Sequence, residues 1–281
     1  MPSLRHHLDI GESALKDGPH PVRARRDAEL LLTHSLQRSR VWLITHGDAL
    51  LADELSVSYT ELLERRQKGE PIQYITGETE FYGLPFRVTP DVLIPRPETE
   101  HLVERVIGLA SDFEAPRILD IGTGSGAIAV VLAHELSHAS VTATDVSSRA
   151  LELARENAKR NGVSIRFLLG DLLGPVAGER FEIIVSNPPY VAEADRNSLD
   201  VEVREHEPAL ALFAGEDGLD VCRRLIPAAF DALVQGGFVV LEIGYGQSTA
   251  IADLLAGSGF GQIEFVPDLQ GIPRVACGRR L

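Results

Sequence analysis

The chain has 281 residues, and 41 acidic side chains against 27 basic ones give it a formal net charge of −14. With 44 % hydrophobic residues it can bury a sizeable core, which excludes the disordered and fibrous classes. So acidic a chain also argues against nonspecific binding along nucleic acid, which needs a basic footprint.

Residues 1–75 read as a small helical bundle. Arg26-Asp27-Ala28-Glu29-Leu30-Leu31-Leu32 continues to Leu36 with apolar positions at helical spacing. Tyr59 to Lys68 repeats the pattern, and Gly69 and Pro71 end it. His6 and His7 near the start are expected to be a mobile tail. Charges at Arg5, Asp9, Glu12, Lys16 and Asp17 leave no room for the apolar core of a signal peptide.

Residues 76–97 change character. Phe81-Tyr82-Gly83-Leu84-Pro85-Phe86 sets aromatics around a turn signal, which predicts a β-hairpin linker. Pro97 is suited to the first turn of a helix, with Glu98 and Glu100 favourable near its positive end.

From residue 98 to 281 strands and helices alternate. Strands are predicted at 117–121, 141–146, 165–170, 181–186, 238–243, 261–266 and 274–278. Helices are predicted at 98–110, 125–137, 147–161, 216–235 and 246–258. Such alternation predicts an α/β domain with a largely parallel, Rossmann-like sheet, whose ligands bind beyond the C-terminal strand ends. The longest apolar run, Ala127 to Ala133, is far short of the roughly 20 residues a bilayer span needs. A soluble, cytoplasmic protein without a membrane partner is expected. Cys222 and Cys277 stand far apart and suit an interior better than a disulfide framework, and the nine histidines show no metal-ligand spacing, so no metal is expected.

Two motifs fall at predicted strand ends. The first is Asp120-Ile121-Gly122-Thr123-Gly124-Ser125-Gly126, a strand entering a glycine-rich turn and then a helix. Asp145 ends the next strand, where a carboxylate can accept from both ribose hydroxyls of an adenosine ligand. This signal alone leaves a nicotinamide dehydrogenase open, because Gly122-x-Gly124-x-x-Ala127 also satisfies the dinucleotide fingerprint.

The second motif, Asn187-Pro188-Pro189-Tyr190, follows the strand Phe181–Ser186. Two prolines cannot continue a central strand, and they restrict Asn187 to an extended geometry. The Asn187 side-chain oxygen and the Pro188 carbonyl then form a rigid acceptor pair for the two hydrogens of a planar NH₂, with the Tyr190 ring beside it. Such a nitrogen is placed to attack an electrophilic methyl sulfonium at the first site. A dehydrogenase gives this motif no role. An adenine-N6 DNA or RNA methyltransferase would use it, and so would a non-catalytic S-adenosylmethionine-binding module retain its outline. The charge speaks against the first and the intact Asn187 and Tyr190 against the second.

Together these residues resemble class I S-adenosylmethionine-dependent methyltransferases that act on planar amino groups. More narrowly, the chain is similar to the HemK/PrmC family, the N5-glutamine methyltransferases of peptide chain release factors. The resemblance rests on the two motifs, on Gly69-Glu70-Pro71-Ile72, Glu80-Phe81-Tyr82-Gly83 and Gly236-Gly237-Phe238, and above all on Ile94-Pro95-Arg96-Pro97-Glu98-Thr99-Glu100. It implies that Gly122, Thr123, Gly124, Ser125, Gly126 and Asp145 bind S-adenosylmethionine, with Asn187 nearby. It implies that Asn187, Pro188, Pro189 and Tyr190 hold the glutamine of a Gly-Gly-Gln loop, with Asn187 and Pro188 catalytic. Some family members carry tryptophan where Leu172 stands beside the adenine, so altered cofactor affinity is expected here. The N-terminal bundle would recognise the release factor, and the enzyme is expected to act as a monomer.

One further expectation concerns charge. Nine acids and two bases fall within residues 193–220, a net −7 that is half of the total. That segment begins just after Tyr190, and it is expected to form an acidic rim for a basic protein partner, with salt-sensitive association.

Overall fold

The structure, a computed structural model, describes residues 2–281. The chain divides into two compact units, one made of residues 1–77 with 199–206, the other of 78–198 with 207–281.

The first unit holds helices α1 (Leu4–Lys16), α2 (Ala24–Leu36), α3 (Arg40–Thr45), α4 (Asp53–Gln67) and α5 (Ile72–Thr76). Leu4, Leu8 and Leu15 from α1 meet Leu31 and Leu32 from α2 and Tyr59 and Leu63 from α4 in one buried cluster. The N-terminal histidines are no mobile tail. Ser3 caps α1 by accepting from the His6 N–H, and the buried His7 ring bonds the Ser3 carbonyl and the Ser56 hydroxyl, each at 2.9 Å. The capping serine is the local signal that this start is helical.

The second unit begins with a hairpin, β1 (Glu78–Phe81) and β2 (Leu84–Arg87), followed by α6 (Thr99–Ala110). Then come β3 (Arg117–Ile121), α7 (Ala127–Glu135), β4 (Ser140–Asp145), α8 (Ser148–Arg160), β5 (Arg166–Leu169) and β6 (Phe181–Ser186). Two short helices, α9 (Val201–His206) and α10 (Ala209–Leu212), precede α11 (Asp220–Ala232), β7 (Leu233–Glu242), α12 (Ser248–Gly257), β8 (Phe260–Pro267) and β9 (Pro273–Arg280).

The seven strands lie in the order β5-β4-β3-β6-β7-β9-β8, parallel except where β9 pairs with β7 and β8. Buried strands alternate between two apolar layers. Ile183 and Val185 enter the layer built with α6 and α7, and Ile184 enters the layer built with α11 and α12. Every residue of α7 from Ala127 to Leu132 is buried, which explains why its sequence is apolar all round.

The chain leaves β3 toward β4 and β5, then returns to β6 on the other side of β3. Such a reversal opens a crevice at the C-terminal strand ends. The pairing register aligns those ends. Ile121 pairs with Thr144 and with Ser186, and Ser186 pairs with Leu241. The next residue of each strand therefore falls in one row: Asp145, Gly122, Asn187, Glu242.

The acidic segment departs from its expected form as an open rim. Leu199–His206 packs within the first unit, where Glu202 pairs with Arg66 and lies 2.9 Å from the His20 ring. Glu207 is buried and paired with Arg96. Glu205 is exposed but bonded to Arg204. A carboxylate taken out of water needs a counter-charge, and here the counter-charges come from positions far away in sequence. Among the described residues no helix is long and apolar enough to cross a membrane.

Candidate active site

The glycine turn after β3 is the first wall of the site. Gly122 and Gly124 take φ of +71° and +55°, a left-handed backbone that glycine adopts without strain. Gly124 donates its N–H to Asp145 Oδ2 at 2.8 Å, and Ser147 donates to Oδ1 at 2.9 Å. These bonds fix the carboxylate at the head of the row and leave each oxygen with lone-pair capacity for a ligand hydroxyl.

Beneath the turn lies Asp120, wholly buried, accepting from the Thr123 hydroxyl at 2.6 Å. Burial pushes its carboxyl up to about 7, the Thr123 bond opposes the rise, and Asp145 adds to it. Leu172 carries φ of +48°, uncommon for a bulky side chain, and its carbonyl accepts from Thr144 Oγ1 at 3.1 Å.

The second wall follows β6. The Ser186 hydroxyl donates to the Ile121 carbonyl at 2.7 Å, which locks the two motif-bearing strands together. Asn187 Nδ2 donates to Thr99 Oγ1 at 3.2 Å, and Thr99 donates to Glu242 Oε2 at 2.6 Å. With Nδ2 so engaged, Oδ1 is the polar end of Asn187 left for a ligand. The Tyr190 hydroxyl makes a long 3.4 Å contact to Glu242 Oε1, and Gln247 Nε2 donates to the Tyr190 carbonyl at 3.0 Å. Burial raises the Tyr190 hydroxyl above its ordinary value and Glu242 raises it further.

One cavity of about 450 Å³ joins the walls, within the span of roughly 300–1,000 Å³ usual for small-molecule sites. Gly122, Thr123, Gly124, Ser125, Asp145 and Leu172 line it, as do Asn187, Pro188 and Pro189. Two residues expected at the site do not line it. Gly126 begins α7 with its Cα against α8, and a Cβ there would stand 3.0 Å from the Ala154 Cβ. Tyr190 is drawn back toward Glu242 and Gln247, so it braces the loop that follows β6 rather than forming a face of the cavity.

Other residues at the site carried no role in the sequence reading. Thr99 sits in the proline-rich segment that carried the resemblance, where it was given no role of its own, yet it contacts both Asn187 and Glu242. Glu242 ends a strand at the level of Asn187, a coincidence of register with no local signal. Val92 and Pro95 of the linker also line the cavity.

An adenosine-type methyl donor fits these residues. Asp145 would take the ribose hydroxyls, the open glycine turn admits a ligand to backbone distance, and Leu172 offers an apolar surface for a base.

Comparison with known proteins agrees with this geometry. Residues 99–204 match the family described as methyltransferase small domain, and residues 8–77 match the PrmC N-terminal domain. Among solved structures, a methyltransferase from Pyrococcus furiosus superimposes with a TM-score of 0.52 at 22 % identity, covering 71 % of this chain and 90 % of that one. The T. thermophilus 16S rRNA N2 G1207 methyltransferase in complex with AdoMet and guanosine gives 0.54 at 20 % identity, covering 73 % and 50 %. These distant likenesses speak for the fold. Sequence relatives are much nearer. The release factor glutamine methyltransferase of Koribacter versatilis is 44 % identical over 275 residues, 96 % of each chain. That of Deinococcus radiodurans is 44 % identical over 256 residues, 90 % of each. That of Salmonella typhimurium is 39 % identical over 277 residues, 98 % of each. With identity at this level running through both units, the chain is a methyltransferase and belongs to the release factor glutamine methyltransferase family.

Proposed function

We propose that this enzyme transfers a methyl group from S-adenosylmethionine to the side-chain amide nitrogen, N5, of the glutamine in the Gly-Gly-Gln loop of peptide chain release factors. The observation that carries the reading is the shared cavity, with an adenosine-type cradle at Gly122–Ser125 and Asp145 and an amide-type acceptor pair at Asn187 and Pro188 on the adjoining strand end. The relatives' names supply the substrate class.

The cofactor supplies an electrophilic methyl group on a sulfonium. The chain's part is alignment. Asn187 Oδ1 and the Pro188 carbonyl accept the two amide N–H groups and turn the nitrogen's open side toward the methyl group. As the new C–N bond forms and the methyl–sulfur bond breaks, positive charge grows on the nitrogen beside these two fixed acceptors. One N–H proton then leaves to solvent, so no strong base is required.

The partner is read as contacting the N-terminal unit and the exposed part of the 193–220 segment, with the enzyme acting as a monomer in the cytoplasm. Glu202 and Glu207 are removed from that rim, since both are engaged internally. Asp195 and Glu216 remain exposed at it.

Mass spectrometry of a release factor incubated with this protein and S-adenosylmethionine tests the reading. One added methyl on the Gly-Gly-Gln glutamine is expected, reduced by about 10²–10³ in rate for Asn187→Ala with cofactor still bound. Methyl transfer to adenine in DNA or RNA instead, or full turnover by Asn187→Ala, would refute it.

A further inference from the structure

We infer that Thr99 and Glu242 are positioning residues that decide which end of the Asn187 amide faces the transfer site. The inference deepens the reading of amide methylation and rests on it. A carboxamide has two ends of nearly equal size, one accepting and one donating. Only the accepting end can bind an NH₂ substrate. Pro188 restricts the backbone of Asn187 but does not choose between the two ends.

The choice comes from a directed chain of hydrogen bonds. Glu242 is 3 % exposed and ends β7, one residue after Leu241, the partner of Ser186. The Thr99 hydroxyl donates to Glu242 Oε2 at 2.6 Å, which commits its single proton. The Thr99 oxygen is left with lone pairs alone. It meets a donor, Asn187 Nδ2, at 3.2 Å. Turning the amide over would bring Oδ1 against the Thr99 oxygen with no proton between them. The polarity set at Glu242 thus reaches the Asn187 amide through Thr99 and through the amide's own bond to the carboxylate, and emerges as an outward oxygen on Asn187.

The energetics favour a purpose for this arrangement. A buried carboxylate costs desolvation that its hydrogen bonds only partly return. Burial accordingly pushes the Glu242 carboxyl above its ordinary value, against the bonds from Thr99, Tyr190 and the Asn187 amide. Among the described residues no arginine or lysine pairs with it as Arg96 pairs with Glu207. Both Glu242 oxygens instead face hydroxyls that belong to or touch the acceptor loop.

Thr99→Val and Thr99→Ser separate polarity from packing. Valine keeps the shape and removes the hydroxyl, while serine keeps the hydroxyl. We expect Thr99→Val to lower kcat on a release factor by about 10² while S-adenosylmethionine affinity stays near wild type, with a lower unfolding temperature because the buried Glu242 loses a donor. Thr99→Ser is expected to recover most of that rate. Wild-type kcat in Thr99→Val, an equal loss in Thr99→Ser, or a loss of cofactor affinity with kcat retained would overturn the inference. Failure of the wild-type protein to methylate the release factor would instead overturn the substrate reading, so the two outcomes are distinct.

Discussion

Gly124 gives its backbone N–H to Asp145 Oδ2 over 2.8 Å, so the turn after β3 is tied to the last residue of β4. The same carboxylate shapes the turn and, in the function proposed above, presents the acceptors for a ribose. Asp145→Ala should therefore weaken S-adenosylmethionine binding by about 10- to 100-fold, the worth of one or two hydrogen bonds to a charged group. Calorimetric titration measures this. Unchanged affinity would mean that the ribose lies elsewhere.

Gly126 reaches the fold through packing rather than ligand contact. Its φ is +83°, and a Cβ would press on Ala154 at 3.0 Å. Gly126→Ala should cost about 1–2 kcal/mol from the left-handed backbone alone, with the α7–α8 contact adding to it. A lowered urea midpoint is the expected result, and an unshifted one would show that the helices separate freely.

Asp120 makes stability depend on pH. Burial lifts its carboxyl to about 7, so the folded chain keeps this proton longer than the unfolded chain does. The contribution is whole below the ordinary carboxylate value and is lost as pH rises through about 7. Asp120→Asn cannot ionise. Whatever its stability offset at about pH 5, the variant should gain on the wild type by about pH 8. Denaturant titrations at the two pH values check the sign, and a constant difference would show that Asp120 titrates normally.

In the first unit, Arg66 is the shared cation of a buried cluster. Its side chain is 2 % exposed, bonds Asp27 Oδ2 at 2.7 Å and pairs with Glu202. Arg66→Met would strand Asp27 and leave Glu202 to His20 and Arg23, a loss of about 3–5 kcal/mol by analogy with broken buried pairs. Trp42 is the only tryptophan and lies in this unit, so its fluorescence should report a lower denaturant midpoint. No shift would mean that the carboxylates reach water without it.

The order of the strands and longer helices was legible from residues 98 to 281 because buried parallel strands are short apolar runs and most of the helices between them are amphipathic, whereas the short α9 and α10 were not foreseen. The helix expected at 216–235 begins later and ends earlier, since Gly218 takes φ of +76° and β7 starts at Leu233. Both motifs were legible for a local reason: glycine and proline write backbone geometry into the sequence at the residue where it is needed. A carboxylate records only that it will seek a partner, without naming one. Hence the segment 193–220 looked like an open acidic rim until tertiary structure set Glu202 against Arg66 and Glu207 against Arg96. Hence too Asn187 was visible from its prolines, while Thr99 and Glu242, 88 residues before it and 55 after it, were not. Sequence alone determined the chemistry available at each strand end. Strand register, a property of the folded sheet, decided which of those ends stand side by side.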